Sequence, residues 1–404
     1  MRLVRAEHPV DGTRTGTRRP GPVAVLLVVA VVSVLVATML ALDATGRGPF
    51  AAAPTPTPTT VESPGAAATP TTPPQTELAA GFLDTYVDPD GRVVRRDQGG
   101  DTVSEGQAYA LLLAAAEGDE GTVDAVWDWT RTHLQRPDGL LSWTWRDGAV
   151  VDANSAADAD VDAAHALVLA GEVFDRPDLR ADGLRLAAAV LDHETATTSL
   201  GRVLLAGQWA DSEPYRVNPS YSAPVTYRLL AEATGDTRWA ELEAGDRAVV
   251  GRLLDAAPLP PDWAQVHADG SVDAMPPPGG GEVGYGLDAQ RVAVRYAASC
   301  TAADRALAER IGTAVDTTPG SVRGIYDLGG TPRVDWQHPV SLVSAAATTE
   351  AAGRDAEADR LLRAAATVDA DGPTYYGAAW AALGEAFLED PTSLGIDCRA
   401  EEDR

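Results

Sequence analysis

The sequence contains no lysine, so all 32 residues counted as Lys or Arg are arginines. The absence of lysine excludes Schiff-base catalysis through lysine and the lysine of a phosphate-binding P-loop. A Gly-x-Ser-x-Gly motif is missing as well, which argues against the serine nucleophile of an α/β-hydrolase. The few histidines are dispersed, without the two-histidine spacing on one helix that zinc enzymes use. We therefore expect no metal and no other cofactor.

Cysteine is almost absent: Cys300 and Cys398 are the only two. They would form one disulfide in an oxidising compartment. The alternative is two unpaired thiols, and sequence spacing alone does not decide between them.

Positive charge is scarce relative to negative charge, and the net charge is −27. Residues 1–21 hold five Arg and two acidic residues, a net of +3, so the remainder carries −30. Such an acidic surface repels phosphate backbones and anionic lipid, so we expect no nucleic-acid partner. A neutral polymer meets no such barrier.

The N-terminal region contains a long apolar run. Residues 22–42 carry no charge and form a stretch of about 20 residues, long enough to cross a bilayer as a helix. The arginines in residues 1–21 predict a cytoplasmic amino end, with the rest of the chain outside. We predict a retained membrane anchor; the alternative is a cleaved signal and a secreted protein. Residues 43–76 are rich in Pro and Thr and predict a semi-rigid linker.

From Glu77 onward, apolar residues recur with helical rather than alternating spacing. The pattern predicts about twelve helices and no strand-rich region. The predicted helices span approximately 77–87, 105–117, 121–135, 158–174, 178–191, 222–234, 237–254, 287–299, 302–314, 340–352, 355–367 and 373–389.

Short links between these helices alternate with long ones, and loops this long in a compact domain are usually functional. Antiparallel helical hairpins joined in this way place every long loop at the same end. The expected fold is all-α, an (α/α)6 toroid of six hairpins with a cleft at the long-loop end. One link, 369–372, is too short for strict alternation. The long loops run over 88–104, 136–157, 192–221, 255–286 and 315–339.

These loops hold most of the Trp, Tyr and loop Asp residues. Pyranose rings pack their C–H faces on aromatic rings, while carboxylates and Arg bind the hydroxyls. Glycosidic hydrolysis needs one protonated and one ionised carboxyl group. Glu105 opens an almost wholly apolar helix at the long-loop end, where burial raises a carboxyl pKa. The alternative is an ordinary first-turn Glu whose pKa the helix dipole lowers.

Six segments resemble one enzyme family in unbroken order. They resemble glycoside hydrolase family 8, bacterial endoglucanases that are inverting enzymes with an (α/α)6 fold. The resemblance covers most of residues 77–390 and implies a catalytic domain at 77–392 followed by a tail at 393–404. The segments read VSEGQAYALLLA, WDWTRTHLQRPDGLLSWTW, DANSAADADVDAAHALVLAGEVF, LLAGQWADSEPYRVNPSYSAP, YGLDAQRVAVRY and YYGAAWAALG.

The resemblance assigns roles to three acidic positions. The Glu of the family's S-E-G-Q motif is the general acid, here Glu105. The D-A-D motif falls on Asp158 and Asp160, and the first Asp would steady the distorted sugar ring. Ala157 stands where the family usually has Ser or Thr. The alternative for both Asp residues is a helix cap, and for Asp160 we favour capping or support.

The family's base is an Asp in a Y-D-A-x-R segment, which predicts Asp288 as general base and Arg291 in the substrate site. Leu287 replaces the tyrosine that lies beside the attacking water in the family, and a helix cap is the alternative for Asp288. Gln208 stands where Asp is common. The aromatic residues that match the family as sugar-binding positions are Trp143, Trp145, Trp209, Tyr221, Tyr375 and Tyr376.

Together these features predict an endo-acting inverting glycosidase that cleaves β-1,4-glucan. The protein is expected to be a monomer outside the cytoplasmic membrane, with a polysaccharide as its partner. Chitosan and xylan are the alternative substrates. A catalytically impaired, membrane-tethered glycan-binding protein is the alternative from another class.

Overall fold

The computed structural model describes residues 75–398. The predicted cytoplasmic segment, membrane anchor and most of the linker lie outside the described residues. Within 75–398, none of the helices has both the length and the apolar character needed to cross a bilayer.

Twelve α-helices of the described region account for most of its secondary structure, close to the predicted segments. They are α1 (Gln75–Tyr86), α2 (Ser104–Ala116), α3 (Glu120–His133), α4 (Ala157–Val173), α5 (Pro177–His193), α6 (Pro224–Thr234), α7 (Arg238–Ala256), α8 (Gln290–Ala297), α9 (Ala302–Gly312), α10 (Pro339–Ala351), α11 (Asp355–Asp371) and α12 (Tyr375–Leu388).

The six even-numbered helices form a closed inner ring: α2 packs on α4, α4 on α6, α6 on α8, α8 on α10, α10 on α12, and α12 on α2. The odd-numbered helices pack outside this ring against their neighbours in sequence. This is the double ring that the alternating loops predict. The link over 372–374 joins outer α11 to inner α12, so it lies at the long-loop end although it is short.

Composition explains which helices lie inside. Helix α2 is apolar on all sides and is buried over almost its whole length, as a fully enclosed helix must be. Outer helices such as α11 bury one stripe and expose the rest. The α4–α5 hairpin is especially close: a Cβ at Gly183 would lie 2.9 Å from the carbonyl oxygen of Ala164.

Side chains fill the axis of the inner ring. Arg295 of α8 forms a buried ion pair with Asp162 of α4. The Arg295 guanidinium also lies 5.7 Å from the ring centre of Trp380 and 5.0 Å from that of Phe387, both on α12. His165 of α4, one turn further down, hydrogen-bonds the carbonyl oxygen of Leu394 at 2.9 Å. Three inner helices therefore meet at the centre.

The long loops contain short strands, which the helical spacing did not predict. Each strand has only two to four residues, too few for the alternation to stand out in the sequence. All the pairings are antiparallel and form sheets β1-β2-β3, β4-β5 and β6-β7-β8. The strands are β1 (Thr102–Val103), β2 (Thr144–Arg146), β3 (Ala149–Asp152), β4 (Thr195–Thr198), β5 (Gly201–Leu204), β6 (Tyr215–Val217), β7 (Trp263–Val266) and β8 (Val272–Met275).

The end opposite the long loops is closed by the C-terminal segment. Cys300, in the short link between α8 and α9, forms a disulfide with Cys398, with their Cα atoms 5.0 Å apart. Leu394 and Ile396 are buried beside this bond. Of the two alternatives for these cysteines, the disulfide is thus the one found, and it attaches the last described residue to the helical ring.

Candidate active site

The acidic residues identified from sequence all lie at the amino ends of inner helices. Glu105 is the second residue of α2, Asp158 the second of α4, and Asp288 lies two residues before α8. Because the inner helices run in the same direction, their amino ends meet at the long-loop end. The fold therefore brings together carboxylates that are separated by up to 183 residues in the sequence.

Arg291, the second residue of α8, connects these carboxylates. Its Nη1 donates to Asp158 Oδ2 at 2.9 Å, to Tyr109 Oη at 2.9 Å and to Glu105 Oε2 at 3.2 Å. Its Nη2 lies 3.7 Å from Asp288 Oδ1. The guanidinium is almost fully buried, with 1% exposure. One cation thus stands between three carboxylates.

Glu105 is enclosed but still reaches solvent, with its side chain 22% exposed. Burial raises its pKa to about 8; Arg291 opposes this rise, while the charges of Asp158 and Asp288 add to it. The pKa therefore shifts in the direction expected of an acid in an apolar site, and opposite to the helix-dipole alternative. Gly106 allows this packing, because a Cβ there would lie 2.5 Å from Tyr375 Oη.

Asp158 is buried, with 3% exposure, and burial raises its pKa against the lowering effect of Arg291. It is not the cap of α4, because the cap position is Ala156 and has no side-chain hydrogen bond to the helix. Its Oδ1 accepts from the amide of Ala159 at 2.9 Å. The other oxygen is left to bind Arg291.

Asp288 is the most exposed of the three acidic residues, at 38%. Its Oδ2 accepts a hydrogen bond from Asn218 Nδ2 at 2.9 Å. It does not cap α8, whose cap position is Ala289 without a side-chain bond. At the neighbouring position Leu287, the backbone oxygen accepts from Tyr376 Oη at 3.5 Å.

Asp262 fixes the turn that carries Asp288, and sequence reasoning missed it. Its Oδ1 accepts from the amides of Gly286 at 3.1 Å and Ala289 at 2.8 Å. Burial raises the pKa of Asp262 to about 7, and the charge of Asp288 adds to the rise. The only signal in the sequence was an Asp beside Trp263 in a long loop.

Asp160 supports the loops under the cleft. Its Oδ1 accepts from the amide of Leu141 at 2.9 Å, and its Oδ2 has no hydrogen-bond donor among the described residues. Glu194, at the end of α5, accepts from Ser155 Oγ at 2.6 Å and likewise keeps one oxygen without a donor in the described region. Burial raises both pKa values, that of Glu194 to about 8, and the Glu194 charge raises that of Asp160 further.

An aromatic cleft of about 550 Å³ lies beside the carboxylates. Trp143, Trp209 and Tyr221 line it, as predicted from their position in the long loops, together with Trp263. The rings of Trp209 and Tyr221 each lie 6.4 Å from that of Trp263. Trp209 is held by a hydrogen bond from its Nε1 to the carbonyl oxygen of Ser155 at 3.2 Å. The cleft therefore presents three indoles and one phenol.

The remaining aromatic candidates occupy other positions. The Trp145 ring contacts Trp129 at 5.3 Å between ring centres and carries Arg92 4.5 Å above it, so it packs outside the cleft lining. Tyr375 is buried against Tyr86, with 1% exposure. Tyr376 lies beside Asp288, since its Oη is 3.5 Å from the backbone oxygen of Leu287. Burial raises the pKa of Tyr376, Arg291 opposes this rise, and the nearby carboxylates add to it.

Two residues that depart from the family pattern, Ala157 and Gln208, form hydrogen bonds to other parts of the long loops. Ala157 is fully buried as the first residue of α4, and its amide donates to the carbonyl oxygen of Ala206 at 3.2 Å. Gln208 Oε1 accepts from Arg136 Nη2 at 3.1 Å, so the amide joins two of the long loops.

A helical double ring with clustered carboxylates beside an aromatic cleft at one end defines the toroidal class of carbohydrate-active proteins. The chain belongs to the glycosyl hydrolases family 8, whose model matches residues 75–383. This confirms the family indicated by the six sequence segments.

Individual relatives agree with the family. The chain is 35% identical over 214 residues to a probable endoglucanase of Novacetimonas hansenii, covering 51% of this chain and 63% of the relative. It is 37% identical over 202 residues to an endoglucanase of Xanthomonas axonopodis pv. citri, covering 46% and 51%. The matches thus span between half and two thirds of these relatives.

Among solved structures, the endo-β-1,4-glucanase of Acetobacter xylinum superposes with a TM-score of 0.65 at 28% identity. This match covers 79% of the present chain and 98% of the other. The similarity in structure therefore extends over the whole helical ring.

Proposed function

We propose that the protein is an endo-acting, inverting glycoside hydrolase that cleaves β-1,4-glucan. One observation carries the proposal: Glu105 and Asp288 approach the same guanidinium, at 3.2 and 3.7 Å, beside the aromatic cleft. Because the two carboxylates bind different nitrogens of Arg291, their oxygens lie within roughly 9 Å of each other. This limit admits both the separation of about 6.5–9.5 Å in inverting enzymes and that of about 5–5.5 Å in retaining ones, so inversion is proposed from the family.

In the proposed mechanism, Glu105 donates its proton to the leaving glycosidic oxygen. A pKa of about 8 keeps this carboxyl protonated at neutral pH. Asp288 accepts a proton from a water molecule that attacks the anomeric carbon from the opposite face of the sugar, which inverts its configuration. The hydrogen bond from Asn218 holds Asp288 in position for this step.

Asp158 and Arg291 act on the sugar between these two groups. Their ion pair at 2.9 Å fixes both side chains at the floor of the site. The Arg291 guanidinium also lies 5.4 Å from the Tyr221 ring, so a sugar bound here would meet a carboxylate, a guanidinium and a phenol. Fixed polar groups of this kind favour a distorted ring at no reorganisation cost during the reaction.

The substrate proposal rests on the relatives named as endoglucanases and on the aromatic lining of the cleft. Release of reducing ends from carboxymethylcellulose, lichenan, xylan and chitosan tests it. We expect activity on the two glucans. Highest activity on xylan or chitosan would replace the glucan assignment, and NMR of the product anomer tests inversion independently.

Glu105→Gln is the variant for the catalytic claim, and Glu120→Gln is its matched control. Glu120 lies in the first turn of α3, as Glu105 lies in the first turn of α2, but it is exposed and binds Arg176. We expect loss of hydrolysis in the first variant and full activity in the second. Retention of glucan by wild type and Glu105→Gln alike, without turnover in either, would instead indicate a binding protein.

We also propose that the protein works outside the cytoplasm as a monomer, attached by residues 22–42 and spaced from the membrane by residues 43–76. The Cys300–Cys398 disulfide supports an oxidising compartment. Fractionation of cells tests this, with membrane-bound protein expected and a shorter, secreted form contradicting the anchor.

A further inference from the structure

Trp336 is an exposed indole in the long loop between α9 and α10. Its 43% exposure makes it the only aromatic ring among the exposed large apolar side chains of the described residues. Single exposed apolar side chains are common on protein surfaces, so what distinguishes Trp336 is its place in a long loop at the active-site end of the ring. The mechanism proposed above does not use it.

The loop holds this indole in one orientation. The amide of Gly324 donates to the carbonyl oxygen of Trp336 at 2.9 Å, and Arg333 donates to Ile325 at 2.9 Å, so the two arms of the loop run side by side. A Cβ at residue 324 would lie 1.8–2.4 Å from three carbons of the Trp336 ring. Only glycine at residue 324 lets the ring lie this close to the backbone.

The order of the inner helices places this loop across the ring from the Trp143 end of the aromatic cleft and next to the loop that carries Trp263. Trp143, Trp209 and Trp263 come from the loops before α4, α6 and α8, whereas Trp336 comes from the loop before α10. In a closed ring of six helices, α10 lies opposite α4. Glu105 on α2 and Asp288 before α8 are opposite each other as well. A chain that passes between these carboxylates therefore leaves the cleft toward α10 and α12.

A short connection joins Trp336 to the reaction centre. His338 lies two residues further on, and its ring centre is 5.9 Å from that of Tyr376. Tyr376 in turn reaches the backbone oxygen of Leu287, next to Asp288. Two residues of extended chain span about 7 Å. The indole is thus on the scale of one or two sugar units from the Tyr376 ring.

We propose that Trp336 forms a sugar-stacking subsite for the same glucan chain, across the carboxylates from the Trp143–Trp209–Trp263 cleft. The inference rests on the proposed function and extends it to the other half of the substrate. The flat face of a β-linked glucose unit packs on the indole, which is braced from behind by Gly324. An endo-acting enzyme then holds its polymer on both sides of the bond that it cleaves.

The test compares Trp336→Ala, Trp336→Phe and a matched control, Val173→Ala, on cello-oligosaccharides of increasing length. Val173 is 52% exposed at the carboxyl end of α4, far from the long loops. We expect kcat/KM of Trp336→Ala to fall about tenfold on long chains, with a smaller loss as the chain shortens, and Phe to restore part of it. The control should match wild type at every length.

A binding readout separates this inference from the catalytic proposal. Glu105→Gln and the double variant Glu105→Gln/Trp336→Ala are run on native gels containing soluble β-glucan. Weaker retention of the double variant than of Glu105→Gln supports the subsite. If wild type hydrolyses none of the glycans, that result overturns only the proposed function. Equal retention, or a loss of kcat/KM that is independent of chain length, overturns the subsite and leaves the proposed function standing.

Discussion

Replacing Asp158 with Asn should lower the pKa of Glu105. The two carboxylates share Nη1 of Arg291, and the Asp158 charge is one of the groups that raise the Glu105 pKa. Asn keeps the shape of Asp and can still accept from Arg291, so the exchange removes charge with little change in packing. Glu105 then shares Nη1 of Arg291 with no other carboxylate, while Asp288 remains beside Nη2, and the Glu105 carboxyl ionises at lower pH.

The structure sets the size of the effect. Because the oxygens lie 3.2 and 2.9 Å from one nitrogen, they are at most about 6 Å apart. Two unit charges at this separation repel by about 3 kcal/mol at an effective dielectric constant of about 20. This corresponds to about two pKa units. Arg291, which binds both carboxylates, screens part of this repulsion. We therefore expect a fall of about one to two units from about 8.

Carbon-13 NMR of protein labelled at the glutamate carboxyl groups measures this pKa directly. The Glu105 signal is identified by its absence from Glu105→Gln and followed across neutral and alkaline pH. The matched control is Asp178→Asn, an exposed first-turn residue of α5 that has no part in the site. A Glu105 pKa that stays at its wild-type value or rises in Asp158→Asn would refute the electrostatic account of the general acid.

Three further predictions follow from individual contacts. Asp288→Asn should lower kcat roughly 10²–10⁴-fold on glucan, as for loss of a general base, and activity within about tenfold of wild type would contradict that role. Cys300→Ser should lower the free energy of unfolding by about 2–4 kcal/mol and leave kcat unchanged. If a reductant does not change the melting temperature of the wild-type protein, this prediction is contradicted. The pKa of Glu194 is raised from 4.5 to about 8, so its contribution to stability is complete below pH 4.5 and is lost as pH rises through about 8. The melting temperature of Glu194→Gln should therefore fall less steeply between pH 4.5 and about 8 than that of wild type. Parallel plots of melting temperature against pH for the two proteins would contradict the assignment.

The helices and their order were predictable because both depend on local information. Apolar spacing in segments such as 105–117 marks a helix, and the alternation of short and long links fixes which ends meet. The short link before Tyr375 broke this alternation in the sequence, yet it joins an outer helix to an inner one as the others do. Glu105, Asp158 and Asp288 followed from recognisable motifs at helix starts.

The supporting residues were not predictable in the same way, because their partners are distant in the chain. Asp262 acts on amides 24 and 27 residues further on, and Asn218 reaches Asp288 across 70 residues. No local pattern encodes such contacts. For Trp145, the motif predicted the wrong surroundings. Trp145 belongs to the same Trp-x-Trp motif as Trp143, but its ring packs against Trp129 and Arg92 because the chain around it forms a strand.

The filled axis of the helical ring limits how a polymer can approach. Arg295 and Asp162 meet at the centre with Trp380 beside them, so no bore runs through the ring along which a chain could be threaded. In the proposed function, the glucan lies across the open end, where it can be bound at any internal bond without a free terminus. An enzyme that cleaves internal bonds shortens long chains first. The viscosity of a glucan solution should therefore fall sharply before many reducing ends accumulate.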